Sequence, residues 1–151
     1  MIFHLFAALA TSPAVAPPAL PIAAQVERIS ITHVPRRIVT RSRLTLENLH
    51  SFVERTNLVL TRSQDVRGLA QAIATSDIAR ERTKLQPHND TGYDARWSFV
   101  MHASDGKRTE VSCDAFGRRG AVDGIPVVFA RLEPTLRRLE AKYPELEHAI
   151  R

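Results

Sequence analysis

The stretch WSFVMHASDGKRTEVSC, Trp97–Cys113, decides the fold. Trp97, Phe99 and Met101 alternate with Ser98, Val100 and His102, and a period of two predicts a half-buried strand. Ser104-Asp105-Gly106 interrupts the run, and Val111 and Cys113 carry it on beyond. Turn length fixes the register. A two-residue Asp-Gly loop would set Phe99 against Ser112 and Met101 against Glu110. A three-residue loop with Gly106 left-handed sets Phe99 against Val111 and Trp97 against Cys113. The second arrangement keeps one face apolar and is the expected one.

Further along, Asp123-Gly124 makes another turn, between Val122 and Ile125. Ile125 to Ala130 is then a last strand, and Pro126 near its start predicts an edge position. Pro134 suits the first turn of a closing helix carrying Leu132, Leu136, Leu139 and Tyr143, which Pro144 stops.

Before the hairpin, Val26–Val34 (VERISITHV) also alternates, with Ile29, Ile31 and His33 on one face and Arg28, Ser30 and Thr32 on the other. Pro35 ends this strand, and Ile38-Val39 is a candidate for a short second one. Thr45 predicts the cap of a helix running to about Thr56, with Leu46, Leu49, Phe52 and Val53 as its stripe. Leu58-Val59-Leu60 reads as a linker or a buried strand. Ser63 predicts the cap of a helix ending near Thr75, with Val66, Leu69, Ala70 and Ile73 inward. Residues 77–85 read as helix or loop, and Gln86 to Asp94 as loop.

The order of elements gives an α+β fold. It is an antiparallel sheet, a C-terminal β-meander plus an N-terminal strand, with two to three helices packed on one face. The expected core is Trp97, Phe99, Val111 and Phe129, joined by Leu49, Phe52, Leu69, Ile73, Leu136 and Leu139.

At 151 residues, 44% hydrophobic and 25% charged, the composition is that of one ordinary domain. It excludes disordered, collagen-like and disulfide-scaffold chains. Cys113 is the sole cysteine, so no intrachain disulfide and no multi-cysteine zinc site can form. The six histidines lack ligand spacing, and the His88-Asn89-Asp90 and Asp94 group lacks that of a calcium loop. No metal and no cofactor are expected.

Residues 1–24 carry no charged side chain. An apolar run, Ile2–Ala10, is followed by an Ala/Pro-rich stretch, the outline of a secretory signal or of an Ala/Pro-rich tail. Ala23-Ala24 and Ala14-Val15-Ala16 are alternative cleavage sites. The apolar run is far short of the ~20 residues that span a bilayer. The expectation is a periplasmic or secreted protein, with a cytoplasmic one as the alternative. Residues 25–151 form a single α+β domain, and the mature chain has no integral membrane segment.

The formal charge is +5, and 18 of the 21 basic residues are arginine. Two places concentrate them. Arg36 and Arg37 lie in a run with Arg28, Arg41 and Arg43. Arg118 and Arg119 lie between Gly117 and Gly120 in a loop between strands. Arginine matches carboxylates and phosphates, and loops between strands commonly carry binding residues. These four are the candidate binding residues. His102 shares a face with Glu110, Ser112 and Asp114, which could do acid–base chemistry, but no nucleophile motif accompanies it. Cys113 faces inward beside Trp97.

The favoured reading is an exported, non-enzymatic domain that binds another macromolecule, in the first place a protein, as an inhibitor, immunity or accessory factor would. The alternatives are a basic module for polyanions or nucleic acid, and a small hydrolase or isomerase using His102.

Overall fold

A computed structural model describes residues 16–81 and 92–147. Its strands are β1 (Val26–His33), β2 (Thr56–Leu60), β3 (Ile78–Arg80), β4 (Trp97–Ala103), β5 (Arg108–Cys113), β6 (Arg119–Val122) and β7 (Ile125–Phe129). Its helices are α1 (Leu46–Ser51), α2 (Ser63–Ala74) and α3 (Glu133–Lys142). The fold is α+β. All seven strands form one antiparallel sheet in the order β2-β1-β4-β5-β6-β7-β3.

The deciding hairpin has the expected register: Trp97 pairs with Cys113 and Phe99 with Val111. Gly106, at φ +82°, takes the left-handed position of the three-residue loop. At Asp123-Gly124 both residues have positive φ, +46° and +79°, the signature of a type I′ turn. That turn sets Val122 opposite Ile125. β1 lies beside β4, with Ile31 opposite Phe99 and His33 opposite Trp97.

The two sheet faces differ. Against Trp97, Phe99, Val111, Ile29 and Ile31 pack α2, through Val66, Leu69, Ala70 and Ile73, and α3, through Leu136 and Leu139. The short α1 lies on the other face. There Leu49 joins a smaller cluster with Val34, Leu44, Tyr93, Ala95 and Ala121, and Phe52 is only partly buried against it. Two helices therefore share the main core, and Leu49 and Phe52 belong to the second cluster rather than the first.

Local readings are corrected at several points. Ile38-Val39 is not a strand, because a turn from Pro35 (Ile38 N–H to the Pro35 carbonyl, 2.9 Å) curls the chain. α1 stops at Ser51 and leaves Val53 89% exposed, since Phe52 already takes extended backbone. Thr45 does cap it, accepting the Asn48 N–H. Ser63 is the first residue of α2 and Arg62 its N-cap. Leu58–Leu60 is strand, the outer edge of the sheet beside β1. Pro126 is not on an edge, because β3 pairs outside β7. Asp77, at φ +55°, turns the chain from α2 into β3, a conformation Asp tolerates better than most residues. Residues 78–80 are thus strand. Positions 82–91, with most of the Gln86–Asp94 loop, lie outside the described residues.

Upstream of β1, Leu20 and Ala23 pack partly buried against the main core. The Arg80 guanidinium donates to the Ala16 carbonyl at 2.9 Å. Among the described residues, no helix is long and apolar enough to cross a membrane.

Candidate functional site

Strands β1 and β5 end, and β4 begins, at one end of the sheet. Two loops meet there. The first follows Pro35 and is held from beneath by Arg96, whose side chain is only 8% exposed. Its guanidinium donates to the carbonyls of Ile38 (2.8 Å) and Pro35 (3.3 Å) and pairs with Asp94 at 2.7 Å. A buried arginine satisfied in this way fixes the backbone of the arginine run.

The second loop, residues 114–118, is organised by Asp114. One carboxylate oxygen accepts the N–H groups of Phe116 (3.1 Å) and Arg118 (3.0 Å), and the other accepts that of Arg119 (3.2 Å). Gly117 supplies the left-handed residue, φ +61°. Gly120 has a different reason: a Cβ there would lie 1.9 Å from the Ser112 carbonyl oxygen. From α3, Arg137 braces the loop through the Ala115 carbonyl at 3.3 Å.

Phe116 projects from this frame, 41% exposed. The Arg36 guanidinium lies 4.8 Å from its ring centroid and that of Arg118 5.7 Å. The four candidate arginines therefore divide. Arg36 and Arg118, from loops about eighty residues apart in the chain, converge on one aromatic ring. Arg37 donates instead to the Glu147 carbonyl. Arg119 is tied to Glu81 and to the Gly92 carbonyl (3.0 Å). Phe116 opens the Phe116–Gly120 segment that the sequence marks out, although only Arg118 and Arg119 are expected to bind there. Its only signal is an aromatic residue directly before Gly-Arg-Arg-Gly.

The histidine constellation is not brought together. His102 has Arg28 and Arg108 as its cross-strand neighbours, and no carboxylate among the described residues pairs with it. Burial first, then these two arginines, hold its imidazole below the usual range. Glu110 instead receives Ser98 Oγ (2.7 Å) and meets His50 Nε2 at 2.6 Å. Ser112 Oγ meets the Tyr93 hydroxyl at 2.5 Å. Asp114 serves the loop. Cys113 is fully buried, and burial pushes its thiol well above the ordinary value.

His33 is the other residue that sequence periodicity left without a role. It is 1% exposed and stacks on Trp97 with ring centroids 3.6 Å apart. Burial, aided by Arg96 and Arg137, lowers its imidazole to about 4 against the raising effect of the Nδ1 contact with the Arg96 carbonyl. It is neutral at pH 7. An open groove of about 410 Å³ lies elsewhere, between α2 and α3, bridged by Asp65 and Lys142 at 2.6 Å. None of the four candidate arginines lines it.

No protein-family model matches the chain, and comparison with curated proteins and with solved structures returns no match.

Proposed function

We propose that this is an exported, non-enzymatic domain that binds an acidic surface of another protein through Arg36, Phe116 and Arg118. The observation that carries the reading is the half-exposed Phe116 ring with two guanidinium groups over it on a loop fixed by Asp114. Aromatic and arginine side chains supply most anchors of protein interfaces. A loop already held in place loses little entropy on binding. The arginines bring a positive field that favours carboxylates. A nucleic-acid partner would need a longer phosphate-following track, and here Arg37 and Arg119 are turned to internal partners.

Export remains part of the proposal. The packing of Leu20 and Ala23 favours cleavage after Ala16 over cleavage after Ala24, because the later cut would strip two side chains from the core.

Photo-cross-linking tests the reading. A benzophenone amino acid replaces Phe116 in the full chain, expressed in its native cells. The expected result is one discrete protein adduct, lost on adding Arg36→Ala and Arg118→Ala. A nucleic-acid adduct, or a protein adduct indifferent to the two arginines, would refute it. The mass of the mature chain decides between the two cleavage sites.

A further inference from the structure

Thr56, His33 and Trp97 are cross-strand neighbours on β2, β1 and β4, so their side chains share one face of the sheet. Thr56 Oγ1, His33 Nε2 and Trp97 Nε1 are buried without a hydrogen-bond partner, and they are the three such side-chain atoms among the described residues. Native interiors pair nearly all buried polar groups. Of the three, Trp97 Nε1–H is a donor only, so His33 Nε2 is the atom that points to a bound cation.

The chemistry of His33 shows why. Its Nδ1 lies 2.9 Å from the Arg96 carbonyl oxygen, which can only accept, so Nδ1 carries the proton. In the neutral ring Nε2 is then a bare lone pair. An Nδ1–H held by a backbone carbonyl, with Nε2 free, is the arrangement of a metal-ligating histidine. One ring nitrogen of His33, a carboxylate oxygen of Glu140, on α3, and one of Glu147, just past it, lie within 4.8 Å of one another, and with Nδ1 on the Arg96 carbonyl it is Nε2 that is free to bind. A lone pair and two carboxylates repel one another unless cations lie among them, and Arg137 offsets part of that charge at Glu140.

The surrounding charges leave this site available. Arg137 takes Glu140 Oε2 at 2.8 Å and Glu133 at 3.7 Å. Arg96 is engaged with Asp94. Arg37 holds the backbone carbonyl of Glu147, which positions that residue without using its carboxylate.

We propose that His33, Glu140 and Glu147 bind a first-row divalent cation, Zn²⁺ above all. One imidazole nitrogen and two carboxylates suit Zn²⁺ better than Mg²⁺ or Ca²⁺, which prefer oxygen alone. With Glu140 shared with Arg137, the two carboxylates offset only part of a dication's charge, and three protein ligands leave a position for water. Nothing in the inference depends on the arginine–phenylalanine surface.

The test uses the full chain without an affinity tag, stripped by a chelator. Zn²⁺ is titrated against a chromogenic chelator, with Mg²⁺ as the control. One Zn²⁺ per chain is expected, with a rise in melting temperature and a shift of the His33 Nε2 resonance. Glu147→Gln keeps the backbone contact with Arg37, so it should leave the metal-free melting temperature unchanged. It should weaken Zn²⁺ by about tenfold or more, at least the loss seen when an outer partner of a metal ligand is removed. Glu140→Gln should weaken Zn²⁺ likewise, with some loss of metal-free stability from the broken Arg137 pair, and His50→Gln should leave Zn²⁺ binding unchanged. Zn²⁺ binding no tighter than Mg²⁺ would overturn the proposal, leaving buried water as the partner of the orphans. So would tight binding that survives the Glu140→Gln/Glu147→Gln double variant.

Discussion

The two faces of the sheet are built on different principles. The face bearing Trp97, Phe99 and Val111 is a single apolar layer under α2 and α3. The face bearing Ser98, Glu110 and Ser112 is held by hydrogen bonds to His50 and Tyr93, a small cluster under α1, and the Arg96 clamp. The first face supplies stability and the second, with the loops at its end, supplies shape. Substitutions should therefore cost most on the first face and progressively less toward the loops.

The largest loss is expected at Trp97, fully buried between His33 and Phe99. Trp97→Ala should cost about 3–5 kcal/mol in urea unfolding. A loss below about 1 kcal/mol would break the contrast between the faces.

Arg96 tests the second face. Arg96→Met keeps the aliphatic stem but removes the guanidinium from the carbonyls of Pro35 and Ile38 and leaves Asp94, which still accepts the Leu44 N–H, without its cation. The expected cost is about 1–3 kcal/mol. Amide exchange should rise first in residues 35–40. Uniform acceleration across the sheet would show that Arg96 supports the whole fold rather than one loop.

A smaller effect is expected at His102. Its imidazole is held below 6.5 by burial and by Arg28 and Arg108, so the fold favours the neutral form. The unfolded chain then binds more protons in that range. The contribution is complete above about pH 6.5 and is lost as pH falls through the folded-state value. An NMR titration should place the midpoint below 6.5, and Arg108→Ala should move it upward. A midpoint above 6.5 would point to a carboxylate partner and revive the acid–base reading.

Legibility followed the same division. The β4–β5 register was readable because a one-residue slip would put polar side chains in the core, and Asp123-Gly124 because both residues accept positive φ. Pro126 misled. Its missing N–H excludes one hydrogen bond, yet β3, a segment with no clear period, still pairs outside it. The sequence pattern overextends α1, because Phe52 and Val53 continue a helical period that the extended backbone at Phe52 breaks. Of the four arginines, sequence identified a basic end of the sheet but not which members face outward. That depends on Asp114, Glu81 and Glu147, whose contacts join residues far apart in the chain. The grouping of His33 with Glu140 and Glu147 is equally non-local and has no spacing to betray it.

The smallest stability effect, and the sharpest test of the comparison, comes from dividing the four arginines into two pairs. Arg36 and Arg118 touch Phe116 at the surface, where each cation–π contact contributes about 0.5–1 kcal/mol at most. Exposed charges add little more. Arg36→Ala/Arg118→Ala should therefore lower stability by about 1–2 kcal/mol at most, yet weaken partner binding by about 2 kcal/mol or more if these side chains are interface anchors. Arg37→Ala/Arg119→Ala removes the ties to the Glu147 and Gly92 carbonyls and leaves Glu81, whose side chain is 12% exposed, without its cation. That double variant should lose more stability than the first and less binding. Equilibrium unfolding and titration of the cross-linked partner measure the two quantities on the parent chain and both double variants. If both pairs lose binding equally, the surface acts through net charge alone, and the geometry around Phe116 is not what the partner recognises.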